Sequence, residues 1–592
     1  MLVLGIHDAH NASVCLVDHG KIVFALQEER INRIKNYAGF PRESIRETMN
    51  YAGITPASID LIVFSGTEYN QYMTNVTSKK LYAKRTGVIK TIRNVLGRVG
   101  LLQKIKRSIL NRKLYTLRMA NLKSLDLDNK PVEFIDHHMC HAAAAYHGMG
   151  IYNEDVLVLT CDGAGDVSSA TVNIGRNGKI KKLFSMSPYE SLGYIYSTVT
   201  YLMGMTPLEH EYKIMGMAPY SSEKYYSDLK RDFENILIHH SGPEPIWKRG
   251  SSIPRMFSGN KLFQKIIKQQ RFDTIAGAIQ SYFEDFLSEW VKKAIAYTNI
   301  HTVALGGGVF MNVKANMIIS ELPEVEKLFI YPSCGDETNS IGAALYAWGA
   351  HNDPEEIPPL GDFYLGPNFS DKDVEKKVET YSFESDISIT RVENPEVAAA
   401  RLLAEGQVVA RFSGREEFGA RALGNRSILA DPKNPWVIRV INEMIKLRDF
   451  WMPFACSILE EDERTYLKND AGIEAPYMII TFDTTDRFPE IIAGIHPQDF
   501  TVRPQIVHKK HNPAYHALIS HFKSLTGRGA VLNTSFNLHG YPIVHYPEDA
   551  MYVFDNSEIQ HLMINNVLIS KKSIDTSTHF SKILDTYNSF KA

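Results

Sequence analysis

Short apolar runs separated by turn residues recur through the first 350 positions of the chain, and such runs predict β-strands. Between them, apolar residues at three- and four-residue spacing predict helices, most densely from 191 to 298. This alternation of strands and helices predicts an α/β fold. Strands are predicted at residues 2–6, 13–17, 22–26, 61–65, 132–135, 156–160, 303–305 and 328–331.

A stretch rich in proline and charge, residues 351–362, has the composition of a linker between domains. Strands and helices alternate again after it, so a second α/β domain is predicted, and no internal sequence repeat is evident. We therefore expect a first domain at 1–350, a linker at 351–365 and a second domain at 366–592. The second domain has predicted helices at 396–405, 437–445 and 513–525, and predicted strands at 408–412, 455–459 and 530–533.

The overall composition is that of a soluble globular protein, with 44% hydrophobic and 22% charged residues. A net charge of -2 argues against a chain that coats nucleic acid or membrane throughout. The five cysteines are scattered without a CxxC pair, which excludes a zinc ribbon and fits a reducing compartment. No apolar run approaches the roughly 20 residues that span a bilayer, and the N-terminus lacks the basic start of a signal peptide. We expect a cytoplasmic protein without a membrane span.

One segment departs from this balanced charge, because residues 79–123 hold fourteen Lys or Arg and no Asp or Glu. Apolar residues from Ile89 to Val99 keep helical spacing, so basic amphipathic helices are predicted as an insert at 70–125. Two interpretations stay open. The segment is either a solvated face packed on its own domain, or a site for an anionic partner, a phosphorylated substrate or a membrane surface.

His137 and His141 are the first candidates for chemistry. The alanines at 142–145 favour a helix, and on a helix two residues four apart share one face, so both imidazoles can bind one metal ion. Asp162 and Asp336 each follow a predicted strand in the same half of the chain and can complete the set. Two imidazoles and two carboxylates suit Fe(II), Mn(II) or Zn(II). Such an ion would act as a Lewis acid on an acyl or phosphoryl group.

Three turns in this half of the chain follow predicted strands: the opening turn at 7–11, the turn at 162–165 and the glycine triplet at 306–308. Backbone N–H groups in such turns can bind phosphate oxygens, so the turns predict a split nucleotide site. The alternative is that these glycines serve only the geometry of tight turns. The next helix is predicted to start near residue 310. The candidates are Gly163, Gly165, Gly306, Gly307 and Gly308, with Asn312 one turn into that helix.

The second half concentrates cationic and amide side chains, beginning with a run at 411–427 that holds four arginines. The planar guanidinium of arginine matches phosphate oxygens in pairs, and Ser, Thr and Asn supply neutral hydrogen bonds. Because these arginines are embedded among Gly, Phe and Leu, a pocket for a small phosphorylated anion is favoured over a solvated surface. The candidates are Arg415, Arg421, Asn425, Arg426, Ser427, Lys446, Arg448, Arg503, Asn533, Thr534, Ser535 and Asn537.

Five motifs, in this order, resemble those of the O-carbamoyltransferases of antibiotic and nodulation-factor biosynthesis, the tobramycin and cephem carbamoyltransferase type. They extend from residue 2 to about 550, nearly the whole chain, and the basic segment 79–123 departs from the family pattern. The motifs are residues 5–13 (GIHDAHNAS), 137–142 (HHMCHA), 213–220 (KIMGMAPY), the arginine-rich run ending at 425–427 (NRS), and 533–537 (NTSFN).

This resemblance implies an N-terminal lobe of the actin/Hsp70/sugar-kinase (ASKHA) fold and a C-terminal α/β lobe like threonylcarbamoyl-adenylate synthase. It also implies two reactions. In the C-terminal lobe, carbamoyl phosphate is converted to carbamate and adenylated with ATP and Mg²⁺. In the N-terminal lobe, the carbamoyl group passes from carbamoyl-adenylate to the hydroxyl of a small natural product or sugar, and AMP leaves. The sequence does not identify this acceptor.

The resemblance further implies roles for single residues. The candidate metal ligands are His137, His141, Asp162 and Asp336, for Fe(II) or another divalent ion. The candidate catalytic residues are His10, as base or orienting group for the acceptor hydroxyl, and Arg415, Arg421 and Lys446 in the second lobe. The candidate nucleotide contacts of the first lobe are the turn glycines, Asn312 and Lys213.

Other functions would explain parts of the chain. A tRNA-modifying (threonyl)carbamoyltransferase or an RNA-binding protein would explain the basic segment, although nucleic acid is not otherwise expected as a partner. A hydrogenase-maturation carbamoyltransferase would carry CxxC pairs, which this sequence lacks. A sugar kinase would leave the arginine-rich second lobe unexplained. The oligomeric state stays open, with a homodimer among the alternatives.

Overall fold

The protein folds as two compact units that both combine sheets with helices, so the predicted α/β class is confirmed. The first unit holds Met1–Asn32 and Asn36–Gly361, and the second holds Arg33–Lys35 and the described residues from Asp362 onward. The predicted linker is therefore divided, with 351–361 in the first unit and 362–365 in the second. The computed structural model describes residues 1–68, 100–251, 253, 260–446 and 448–572.

Twelve strands and eleven helices are described in the first unit. Its strands are β1 (Leu2–His7), β2 (Ser13–Asp18), β3 (Lys21–Gln27), β4 (Leu61–Ser65), β5 (Val132–Ile135), β6 (Val156–Gly165), β7 (Ser168–Arg176), β8 (Lys179–Met186), β9 (Leu237–His239), β10 (Trp247–Arg249), β11 (Thr302–Gly306) and β12 (Lys327–Ile330). Its helices are α1 (Glu28–Asn32), α2 (Arg42–Ala52), α3 (Gly100–Lys123), α4 (His137–Met149), α5 (Leu192–Leu202), α6 (Glu211–Met217), α7 (Glu223–Glu234), α8 (Asn260–Ile266), α9 (Phe272–Thr298), α10 (Val313–Ser320) and α11 (Asn339–His351).

Two five-stranded sheets of this unit share one topology. Their strand orders are β3-β2-β1-β4-β5 and β8-β7-β6-β11-β12. In each sheet the first three strands pair antiparallel, and the last two run parallel to the central strand β1 or β6. The ASKHA fold that the resemblance implied for this lobe is confirmed, and the duplication of its sheet was not predicted from the sequence.

Helices α4 and α11 pack on each other between these sheets, with α11 against β1, β2 and β4, and α4 against β6 and β11. Small residues allow this close approach. A Cβ added at Gly342 would lie 1.8 Å from the carbonyl oxygen of Cys140, and one at Gly306 would lie 2.8 Å from that of His141. Helix α4, with its alanine run, is therefore held tightly at the centre of the unit.

Residues 161–165 correct one expectation, because the predicted turn after 160 is a continuation of β6. The strand extends to Gly165 and pairs with β7 across an irregularity between Cys161 and Gly165. The glycines after β11 are followed by a short 3-10 helix at Gly308–Met311, so α10 begins at Val313 and not near 310 as predicted.

The second unit is built on a mixed sheet of eight strands in the order β13-β22-β21-β14-β15-β20-β16-β19, with β17 and β18 as a separate pair. Its strands are β13 (Ile387–Arg391), β14 (Val409–Phe412), β15 (Arg426–Ala430), β16 (Ala455–Leu459), β17 (Phe482–Asp483), β18 (Thr501–Val502), β19 (Gln505–Val507), β20 (Ala530–Ser535), β21 (His561–Ile564) and β22 (Val567–Lys571). Its helices are α12 (Asp371–Thr380), α13 (Pro395–Ala404), α14 (Val437–Ile441), α15 (Glu463–Tyr466), α16 (Pro513–Thr526) and α17 (Pro547–Asp555).

Part of the basic insert lies within the described residues. The helix predicted at 89–99 lies outside them, whereas 100–123 form α3. Of the helices that the structure describes, none is both long and apolar enough to cross a bilayer.

Candidate functional site

Four side chains of the first unit converge on one point. The Nε2 atoms of His137 and His141 lie 3.2 Å apart. His137 Nε2 lies 3.2 Å from a carboxylate oxygen of Asp162 and 3.4 Å from one of Asp336. His141 Nε2 lies 3.9 Å and 3.5 Å from the same two oxygens. We call these four residues the His/Asp group.

The spacing of the His/Asp group fits a single metal ion. Its four donor atoms all lie within 4.8 Å of one another. A tetrahedral ion with bonds of about 2.1 Å requires donors about 3.4 Å apart, close to the distances observed. The Nε2 atoms of the two imidazoles face each other, which is the geometry of two ligands of one cation. The group can therefore hold a metal ion.

Three further contacts fix the orientation of these ligands. Asp136 caps helix α4 by accepting a hydrogen bond from the backbone N–H of Met139 (3.1 Å), a contact worth about 1 kcal/mol. Asp166 accepts a hydrogen bond from the N–H of His137 (3.0 Å) and also from the N–H groups of residues 67 and 68. The side-chain amide of Asn339 lies 3.4 Å from His137 Nδ1 and 3.3 Å from His141 Nε2.

The glycines that were predicted to bind phosphate pack against the His/Asp group. A Cβ at Gly165 would lie 2.0 Å from Cδ2 of His137, and one at Gly308 would lie 2.8 Å from Oδ1 of Asp162. Gly307 has a φ of +100°, a conformation that favours glycine. Steric or conformational need therefore accounts for Gly165, Gly307 and Gly308, and a contact of any of the predicted glycines with nucleotide phosphate stays a prediction.

The charges of the His/Asp group are strongly coupled. Burial disfavours the charged imidazole of His137, but Asp336 and Asp162 outweigh it and raise the pKa of His137 to about 9. Burial and the neighbouring His137 lower the pKa of His141 to about 3. Burial and Asp162 raise the pKa of Asp336. The group therefore attracts one positive charge, which a bound metal ion would supply in place of the His137 proton.

The turn after β1 lies beside this group. His7 is buried, with Nδ1 2.7 Å from Ser65 Oγ and Nε2 2.9 Å from the carbonyl oxygen of His10. His10 itself is half-buried. Burial lowers the pKa of His10, while the carboxylates of Asp336 and Asp162 act in the opposite direction. His10 therefore lies within electrostatic reach of the His/Asp group, and its role as a base stays a prediction.

Other predicted residues of the first unit make internal contacts. Asn312 caps α10 by accepting a hydrogen bond from the N–H of Ala315 (3.1 Å), and it exchanges two amide hydrogen bonds of 3.0 Å with Gln280. The carbonyl oxygen of Gly163 accepts a hydrogen bond from the hydroxyl of Ser191. Lys213 is half-buried on α6. Nucleotide binding by these residues stays a prediction.

A second cluster lies in the second unit, where a one-turn π-helix, Asn442–Lys446, follows α14. The ammonium of Lys446 donates to Oδ1 of Asn537 (2.6 Å) and to Oγ of Ser535 (3.2 Å). Arg448 donates to the hydroxyl of Thr534 (3.0 Å) and lies over the ring of Phe454 at 4.8 Å. Strand β20 thus presents its polar end to two cations, which we call the Lys446 cluster.

The ammonium of Lys446 is destabilised in the free protein. Burial, together with the charges of Arg448 and Lys35, holds the pKa of Lys446 well below its usual range. A bound anion would relieve this destabilisation, because it favours the charged form. The Lys446 cluster is therefore suited to a small anion.

Most of the remaining candidate residues of this unit form hydrogen bonds within the protein. Arg415 donates to the carbonyl oxygens of Gly366 and Leu365 (3.0 and 2.8 Å). Arg426 is fully buried, donates to the carbonyl oxygens of Ser413 and Gly414, and lies 3.7 Å over the ring of Phe412. Contacts of either arginine with a ligand stay a prediction.

Polar contacts within the sheet engage three more of the predicted residues. The amide of Asn425 donates to the carbonyl oxygen of Arg415 (2.7 Å), and the hydroxyl of Ser427 accepts from the N–H of Gly424 (3.0 Å). Asn533 donates to the hydroxyl of Ser457 (3.0 Å). Arg421 and Arg503 are half-buried.

Asp166 and Asn339 act directly on the His/Asp group, but the sequence assigned them no role. A signal was present for Asn339, which lies three residues after Asp336, one turn along the same helical segment. Asp166 carried no such signal, since its partners are backbone N–H groups that no sequence motif marks.

Comparison with known proteins identifies the family. Two family models match, the carbamoyltransferase N-terminus over residues 2–345 and the carbamoyltransferase C-terminus over residues 400–571. The nodulation protein NolNO of Sinorhizobium fredii is 30% identical, over 95% of this chain and 79% of that protein. An uncharacterized protein of Methanocaldococcus jannaschii is also 30% identical, over 96% of this chain and 99% of that protein.

Among solved structures, component A of the (R)-2-hydroxyglutaryl-CoA dehydratase of Acidaminococcus fermentans aligns with a TM-score of 0.31 at 14% identity, over 59% of this chain and 98% of that chain. We draw no conclusion from a score this low. The N-terminal family model alone matches more than half of the chain. With the C-terminal model covering most of the second unit, the protein belongs to the carbamoyltransferase family and is a transferase.

Proposed function

We propose that this protein is an ATP-dependent O-carbamoyltransferase that works in two steps, one in each unit. The observation that carries the proposal is the His/Asp group in the first unit. The Lys446 cluster in the second unit supports it, because a small phosphorylated anion and a nucleotide both need cationic partners.

In the second unit, water hydrolyses carbamoyl phosphate to carbamate and phosphate, and a carbamate oxygen then attacks the α-phosphorus of Mg²⁺-bound ATP. The products are carbamoyl-adenylate and pyrophosphate. Lys446 and Arg448 would hold the anionic groups, with Thr534, Ser535 and Asn537 orienting the two cations. Arg415, Arg421 and Arg503 remain candidates for further contacts with carbamoyl phosphate and ATP.

In the first unit, an acceptor hydroxyl attacks the carbamoyl carbon of carbamoyl-adenylate, and the C–O bond to AMP breaks. His10 would accept the hydroxyl proton, since it lies within electrostatic reach of the carboxylates of the His/Asp group. His137, His141, Asp162 and Asp336 would hold Fe(II) or another divalent ion, which as a Lewis acid polarises the carbonyl or phosphoryl oxygen. The acceptor is a small hydroxylated natural product or sugar.

Pyrophosphate release tests the first step. With ATP and Mg²⁺ present, release should depend on carbamoyl phosphate and should be lost in Lys446→Met. The variant His141→Ala should keep this release, because its change lies in the other unit. If ATP cleavage proceeds equally without carbamoyl phosphate, the adenylation step is wrong.

A further inference from the structure

Helix α3, the last part of the basic segment, buries one of its cations. Arg112 and Lys113 on this helix are exposed, but Arg118 is only 1% exposed. Arginine keeps its charge in proteins, and an unpaired buried charge is very costly. The partners of Arg118 therefore show what the residue does.

The guanidinium of Arg118 joins the ends of two neighbouring strands. Its Nε and Nη2 donate to the two carboxylate oxygens of Asp8 (2.8 and 2.7 Å), directly after β1. Its Nη1 donates to the carbonyl oxygen of Gly66 (2.9 Å) and Nη2 to that of Ser65 (3.3 Å), at the end of β4. The guanidinium also lies over the ring of Phe64 at 4.5 Å. One side chain thus fixes both strand ends.

The first of these strand ends carries the turn that lies beside the His/Asp group. Asp8 stands between His7 and His10, and His7 bridges Ser65 Oγ and the carbonyl oxygen of His10. The contact of Arg118 with Asp8 and the contact of His7 with the carbonyl oxygen of His10 therefore fix the backbone of the turn at two points. The position of His10 follows from this backbone.

The second strand end leads to the ligands themselves. The N–H groups of Thr67 and Glu68 donate to Asp166, which also accepts from the N–H of His137. Arg107, one exposed cation of α3, forms an ion pair with Glu68. Helix α3 therefore contacts the loop after β4 at two places.

We propose that Arg118 is a positioning residue of the carbamoyl-transfer site, an assignment that rests on the proposed function. It holds the turn of His7 and His10 and the loop after β4 in place beside the His/Asp group. The role requires a planar fork, because four hydrogen bonds leave one guanidinium toward three residues. A lysine ammonium is a point charge and can keep only part of this set.

The test compares Arg118→Met, Arg118→Lys and the matched control Arg112→Met, which removes an exposed cation from the same helix. Hydrogen exchange read by mass spectrometry follows the amides of residues 7–11 and 65–68. Exchange should rise about tenfold or more in Arg118→Met, less in Arg118→Lys, and stay at the wild-type level in Arg112→Met. If Arg118→Met does not fold, the double variant Asp8→Asn with Arg118→Met removes both charges and takes its place.

Activity separates positioning from loss of structure. With ATP, carbamoyl phosphate and a hydroxylated acceptor supplied, AMP release should fall at least about tenfold in Arg118→Met, while the pyrophosphate released in the first turnover stays at the wild-type level. Arg118→Lys should restore part of the AMP release. Unchanged exchange at 7–11, or a parallel loss of AMP and pyrophosphate release, would overturn the proposal. A wild-type protein without carbamoyl phosphate-dependent pyrophosphate release would instead overturn the proposed function, and hydrogen exchange would still decide the role of Arg118.

Discussion

Replacing Gly165 by alanine should dislodge His137 from the His/Asp group. The added Cβ would lie 2.0 Å from Cδ2, 2.1 Å from Cγ and 2.6 Å from Nε2 of that ring. Carbon atoms in contact prefer about 3.5–4.0 Å, so the ring must move by more than about 1 Å. Metal sites tolerate about 0.2 Å in ligand distance, so His137 should be lost as a donor.

The expected size of the effect follows from this displacement. Disturbing a group that only supports a ligand typically costs about 10- to 100-fold in metal affinity, or about 1.4–2.8 kcal/mol. Loss of a ligand should cost at least as much. Overpacking should also lower the stability of the folded protein by about 1–3 kcal/mol.

Gly163→Ala is the matched control, because a Cβ there would meet Tyr194 at an ordinary 3.6 Å. Mn²⁺ titration of metal-free protein by calorimetry, with metal content measured by mass spectrometry, gives the affinity and stoichiometry of each variant. Thermal melting shows whether both variants are folded. Wild-type affinity in folded Gly165→Ala, or an equal loss in Gly163→Ala, would refute the steric reasoning.

Three further predictions concern the metal, the second unit and nucleic acid. His141→Ala should lower metal affinity at least about 10- to 100-fold and abolish AMP release. The control His138→Ala changes an equally buried histidine that forms a hydrogen bond with Thr160, and it should retain the metal. Equal metal content in the two variants would contradict the metal site. Carbamoyl phosphate should bind with proton uptake, because the bound anion raises the depressed pKa of Lys446. Its affinity should therefore fall by up to about tenfold per pH unit above that pKa, measured by calorimetry in buffers of different ionisation enthalpy; affinity that rises with pH would contradict this. Transfer RNA should not bind at about 150 mM salt. Binding of transfer RNA that weakens steeply as the salt concentration rises would favour the RNA-directed alternative.

The His/Asp group was accessible from sequence because each ligand obeys a local rule. His137 and His141 share a helix face by their spacing. Asp162 lies in the last part of β6, and Asp336 begins the 3-10 helix that follows β12. Because β6 and β12 both run parallel to β11, their carboxyl ends meet at one edge of the sheet. Strand recognition was therefore enough to bring the carboxylates together.

The contacts that hold the His/Asp group in place could not be predicted from the sequence, because they depend on tertiary packing. Arg118 and Asp8 are 110 positions apart, and the charge pattern of 79–123 gives no reason to single out Arg118 from its basic neighbours. The duplicated sheet of the first unit was hidden for a similar reason. Its two copies share strand order and direction, properties that many different apolar residues can satisfy.

The arginine-rich run at 411–427 ends in a strand that the sequence did not reveal, and its role in a pocket for a small anion stays a prediction. Arg426 and Ser427 begin the central strand β15, where successive side chains point to opposite faces. Arg426 therefore lies over Phe412 inside the unit, while Ser427 accepts a hydrogen bond from Gly424. Glycine and charge in the run concealed this strand.

The identity of the nucleotide product tests the central claim most directly. With ATP, carbamoyl phosphate and a panel of hydroxylated acceptors, a two-step carbamoyltransferase forms AMP, pyrophosphate and phosphate in equal amounts, and the acceptor gains the mass of one carbamoyl group. Chromatography of the nucleotides with mass spectrometry of the acceptors measures both. ADP as the product, with an acceptor that gains phosphate, would contradict the account and indicate a kinase.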